Sequence, residues 1–121
     1  MSDAPLFDQA VYLDLSSELG EEDTAEVLKT FLADTSRKIV GMAAAQADRS
    51  TIKREAHSIK SSAATFGFAE LSALARVLEA GSEAMSAADL QGFIATLGQA
   101  FEKVSQLAQA QLLVTDREIA R

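Results

Sequence analysis

His57 is the only histidine among 121 residues, and it stands in the run Ala56-His57-Ser58-Ile59-Lys60-Ser61. An imidazole acts near neutral pH as nucleophile, acid, base or metal ligand, so its company decides its role. Metal binding needs several convergent ligands, and a hydrolytic triad needs an orienting acid with a separate Ser or Cys in a pocket. The chain offers little sign of either. What surrounds His57 is positive charge: at 3.6 residues per turn Lys53 and Lys60 project on nearly the same side, with Arg54 not far round. Cations beside a nucleophilic ring suit a phosphoryl group, whose negative charge they stabilise. Taken singly, these residues have plainer readings. A lone surface His is usually an ordinary solvated side chain, Lys60 one more solvating charge, Ser61 and Ala64 helix filler, and Gly67 a helix terminator. Together they lead to the expectation that His57 carries phosphate on a ring nitrogen.

The element that must position this ring is a helix. Ile52, Ala56, Ile59, Ala63 and Phe66 fall on one stripe at helical period, and His57, Lys60, Ser61 and Ala64 on another, so the imidazole faces outward. Asp48 can cap the start of this helix and Gly67 can end it. Before it, a short helix is predicted over Leu6–Leu19, with Phe7, Val11 and Leu15 repeating and Gly20 as a left-handed end. A second helix begins near Glu22 or Asp23, with Leu28, Leu32, Thr35, Ile39 and Met42 as its seam. After it, Leu71, Leu74, Ala75 and Leu78 form one face of a helix ending around Gly81. Ser86 and Asp89 have the spacing of a capping box for a last helix, whose seam is Leu90, Phe93, Leu97, Ala100, Val104 and Leu107. The Leu and Phe stripes are core. The simplest arrangement burying every stripe is all-α: an antiparallel up-down four-helix bundle with an additional short N-terminal helix. One domain over 1–121 is expected, its bundle covering about 6–113 before a polar C-terminal tail.

Composition narrows the function classes. Net charge is -7 with a pI near 4.6, which argues against nucleic-acid binding, since that requires concentrated Lys and Arg. With no Cys and a single His, disulfide frameworks and zinc clusters are set aside. No metal site and no cofactor are expected. No stretch approaches the roughly 20 apolar residues of a membrane span, and Met1-Ser2-Asp3-Ala4-Pro5 lacks a secretory pattern. No membrane association, a cytoplasmic location and a monomer are the expectations. There is no P-loop Gly-Lys pattern and no kinase-type Gly-rich loop, hence no ATP site and no self-sufficient enzyme.

The run from Ala56 to Phe68 (His57, Lys60 three residues on, the small Ser61, Gly67 ten residues beyond the His), followed by Leu71, Leu74, Leu78 and Glu79, resembles the signature of histidine-containing phosphotransfer (HPt) domains. It is especially similar to the phosphoryl-accepting domain of chemotaxis histidine kinases. The resemblance implies that His57 accepts phosphate at Nε2, that Lys60 stabilises the phosphoryl oxygens and that Ser61 leaves the ring accessible. It also matches Glu79 to the family's Gln or Glu that hydrogen-bonds the ring. One departure is that Ser61 stands where the family usually has Gly; a hydroxymethyl group is still small. The implied partners are a response-regulator receiver domain, which would supply Mg²⁺, and/or a hybrid histidine kinase. Partner contact is assigned to Lys53, Arg54, Ala64, Gly67 and Phe68. Two rivals remain: a helical binding module that docks on a receiver without accepting phosphate, and an enzyme using His57 as general base, or a phosphatase acting on receiver phosphate.

Overall fold

The structure, a computed structural model, describes residues 3–44 and 47–113. Among the described residues it contains five α-helices and no strand. These are α1 (Gln9–Leu19), α2 (Glu21–Ala43), α3 (Arg49–Phe66), α4 (Ala69–Gly81) and α5 (Ala87–Leu107), and α5 runs into a π-helical turn, Ala108–Leu112. The tail expected beyond Leu113 lies outside the described residues. No described helix is long and apolar enough to cross a membrane.

Helix boundaries have local causes. The Asp48 carboxylate accepts the Thr51 N–H at the head of α3, and the Ser86 hydroxyl accepts the Asp89 N–H at the head of α5, as their spacing predicts. The α1 helix starts later than the expected Leu6, because Asp8 adopts an extended conformation and caps it through the Ala10 N–H. Gly20 separates α1 from α2 with φ 87° and ψ 156°. Its φ is positive, but its ψ takes it out of the left-handed helical region expected of it. The helix that follows opens with Glu21, Glu22 and Asp23 at the positive end of its dipole.

The expected seams are the core, with small adjustments. Ile52, Ala56, Ile59, Ala63 and Phe66 of α3 are all buried, as are Leu71, Leu74, Ala75 and Leu78 of α4. In α5 the inward face rotates slightly, burying Ile94 and Phe101 and leaving Phe93 and Leu107 half-buried. In α2, Thr24 and Phe31 join the core and Ile39 sits at its edge. No residue of α1 is buried.

The most extensive packing is between α3 and α4, which a two-residue reversal joins. Gly67 has φ 87° and ψ 13°, the left-handed conformation that ends α3, and its N–H bonds back to Ala64. The N-terminal segment straps this corner. The Asp8 N–H donates to the Gly67 carbonyl at 2.7 Å, and the Pro5 carbonyl accepts the Glu70 N–H at 2.8 Å, taking up a free donor at the head of α4. Beneath the corner, Phe68 is fully buried and its ring meets Phe7, Phe31 and Phe66 at centroid distances of 5.6–6.0 Å.

A Cβ at position 67 would lie 2.5 Å from the Asp8 carbonyl oxygen, in addition to forcing a left-handed backbone on an L-residue. Gly67→Ala therefore loses at least about 2 kcal/mol of stability. Gly92→Ala, in the exposed interior of α5 with nothing near its Cβ, gains roughly 0.5–1 kcal/mol. Urea unfolding followed by helical circular dichroism measures both. Equal and small effects at the two positions would show that the corner tolerates a side chain.

Candidate functional site

Three side chains from the facing surfaces of α3 and α4 meet at one carboxylate. Glu79 Oε2 lies 2.7 Å from His57 Nδ1, and Glu79 Oε1 lies 2.7 Å from Lys60 Nζ. The imidazole remains 61% exposed, while the side chains of Lys60 and Glu79 are 30% and 20% exposed. The Lys60 ammonium, and after it the His57 ring, hold the Glu79 carboxyl below the ordinary carboxylate range. Glu79 is thus ionised at neutral pH and can only accept hydrogen bonds, so the Nδ1 facing it carries the proton. That tautomer leaves Nε2 with a free lone pair on a ring open to solvent.

Helical spacing explains the convergence. His57 and Lys60 are three residues apart and project from one face of α3. On α4 and the turn after it, Ser72, Arg76, Glu79 and Glu83 recur at four, three and four residues. The two stripes pair antiparallel: Lys53 with Glu83 at 3.7 Å, His57 and Lys60 with Glu79, and the Ser72 hydroxyl with the Lys60 carbonyl at 2.8 Å. The Ser72 bond fixes α4 against the backbone of the residue that supplies the ammonium. Sequence reasoning missed Ser72 and Arg76, although the period of polar residues running into Glu79 marks both.

Other expected site residues divide by exposure. Ser61 and Ala64 are exposed on the His57 side of α3, as are Lys53 and Arg54. Gly67 and Phe68 do not offer the contact surface expected of them. Phe68 is 0% exposed and belongs to the aromatic core, and Gly67 is buried under the Asp8 carbonyl. Their spacing from His57 reflects the turn that α3 needs, and apolar character alone could not separate a core ring from an interface ring. Beside the site, a groove of about 520 Å³ runs along α3 and α4 from Lys60 and Ser61 to Asp8 and Val11 of the N-terminal region.

A family model for the Hpt domain matches residues 26–113. The chain belongs to the Hpt domain family. No curated protein and no solved structure matches it. Hpt domains are phosphocarrier modules of two-component signalling that interact with receiver domains and kinases. The matched stretch takes in most of α2 and all of α3, α4, α5 and the π turn, whereas α1 lies outside it.

The lowered Glu79 carboxyl sets a pH dependence. Because its folded value lies below its unfolded one, Glu79 stabilises the fold above the ordinary carboxylate range, and this contribution fades as pH falls through the folded value. Carboxyl carbon shifts in an NMR titration should place the Glu79 midpoint below the ordinary value of 4.5. Lys60→Met should move the midpoint upward. No movement in that variant would assign the shift to something other than the ammonium.

Proposed function

We propose that this chain is a phosphorelay carrier that takes a phosphoryl group on His57 and exchanges it with the aspartate of a response-regulator receiver domain. The observation that supports this reading best is the single Glu79 carboxylate shared by His57 Nδ1 and Lys60 Nζ. The four longer helices are read as an antiparallel up-down bundle of one domain, acting as a cytoplasmic monomer. The partner is a receiver domain, free-standing or part of a hybrid kinase, and it supplies the Mg²⁺.

In the forward step the Nε2 lone pair forms the nitrogen–phosphorus bond. The phosphorus–oxygen bond of the aspartyl phosphate breaks, and the aspartate carboxylate leaves with its electron pair. The ring becomes cationic because its Nδ1 proton stays in place, and Glu79 compensates that charge at 2.7 Å. Lys60 begins paired to the same carboxylate, so it reaches the phosphoryl oxygens only by sharing or leaving Glu79. Its flexible four-carbon stem permits this movement. Ser61 one turn along and Ala64 keep the approach low. Lys53 is paired with Glu83 at the surface and adds little energy, contributing with Arg54 chiefly to encounter.

Incubation with a receiver domain loaded with radiolabelled phosphate should move label to the wild-type chain, in an acid-labile, base-stable form, and none to His57→Gln. Lys60→Ala should slow transfer roughly tenfold or more. Ser61→Phe should block transfer while keeping its helical content. Label on His57→Gln would overturn the assignment. Docking without label would favour the binding module, and release of inorganic phosphate without phosphohistidine would favour a phosphatase.

A further inference from the structure

The groove beside the site has one wall that the family model does not cover. Val11 and Asp8 lie before residue 26, where the match begins, yet both line the groove together with Ala64, Ala73 and Arg76. Val11 remains 36% exposed although it repeats at helical spacing with Phe7 and Leu15, so part of its apolar surface is left without cover. The floor is low because its α3 and α4 residues include Ala64 and Ala73. Two facing helices with small residues between them form a trough into which the ridge of a third helix fits.

Charge identifies the occupant. The groove holds two cations, Lys60 and Arg76, and one carboxylate, Asp8, which is engaged by the Ala10 N–H as the cap of α1. Lys60 is compensated by Glu79 at 2.7 Å. Arg76 is exposed and makes no ion pair or side-chain hydrogen bond among the described residues. In a chain of net charge -7 it is an uncompensated guanidinium, whose planar fork matches a carboxylate. It stands three residues before Glu79 on α4, so whatever pairs with it lies within a helical turn of the transfer site.

We propose that Arg76 and the α1 wall select the partner of this carrier by receiving a helix that presents a carboxylate to Arg76 and an apolar side chain to Val11. This inference rests on the carrier reading above, and it adds to that reading a residue pair that sets specificity. Arg76 acts on docking and not on the reacting atoms, so its loss raises KM more than it lowers kcat. The wall depends on the strap at Gly67, which places α1 beside α3 and α4.

The test uses the full 121-residue chain and a receiver domain that transfers label to it, with initial rates measured against receiver concentration. Arg76→Glu should raise KM roughly tenfold or more, because it sets like charges against each other. Arg76→Lys, which keeps the charge and loses the fork, should give a KM between those of Arg76→Glu and wild type. Val11→Glu, a surface change that spares the core, should also raise KM. Added salt should raise the wild-type KM and move that of Arg76→Gln less. An unchanged or lowered KM in Arg76→Glu would overturn the acidic occupant, and an unchanged KM in Val11→Glu would remove α1 from the interface. Separately, phosphoramidate loads an accessible histidine without docking. If neither phosphoramidate nor the receiver labels the wild-type chain, the carrier reading falls and this inference with it. If label appears and the variants match wild type, this inference alone falls.

Discussion

The corner at Gly67 is the constraint on which the site depends. A left-handed residue at the end of α3 sends the chain back as α4 within two residues, and this tight return sets the register in which Glu79 arrives opposite His57 and Lys60. A looser connection would let α4 slide, and a shift of one residue rotates a helical side chain by about 100°. Several contacts hold the corner. Phe68 is driven into the core among three other rings, and the N-terminal segment bonds to both the end of α3 and the start of α4. The packing of the corner and the chemistry of the site are thus consequences of the same few residues.

At the site, one carboxylate performs two electrostatic tasks with opposite demands. Toward His57 it must remain an acceptor, holding the proton on Nδ1 and leaving Nε2 free. Toward Lys60 it binds well enough to position the ammonium, and in the proposed carrier reading weakly enough to share it with a phosphoryl group. Partial exposure reconciles these demands. With Lys60 and Glu79 neither buried nor fully solvated, solvent screens the pair and keeps exchange inexpensive, whereas burial would turn the same contact into a fixed structural ion pair.

The chain is acidic overall, yet the surface around His57 concentrates cations on α3 and places on α4 a guanidinium, Arg76, that has no ion pair among the described residues. Most other described cations have local partners. Arg37 and Lys38 pair with Asp34, Lys29 with Glu26, and Arg49 donates to the carbonyls of Ser82 and Met85 behind α4. The cluster of cations beside the His57 ring is therefore a local feature set against the global field, which suits a surface that meets an anionic group and releases it.

Much of the fold was legible in the residue pattern, because amphipathic periodicity and capping are local. The inward stripes of α3 and α4, the Asp48 and Ser86 caps and the outward His57 face follow from spacing within single helices. Less legible were features that depend on where another segment lies. The late start of α1 reflects Asp8 bonding to the distant Gly67, and the burial of Phe68 reflects rings from α2 and the N-terminal segment. The groove wall at Val11 exists only because that segment crosses the corner. For the site, sequence alone determined which residues could do chemistry and that His57 and Lys60 share a face, since three-residue spacing on one helix is a fixed geometry. Only the tertiary structure decided that Glu79 bridges them, that Ser72 anchors the pair and that Arg76 has no ion pair among the described residues, because the register between two helices is a property of their packing and is written in neither helix by itself.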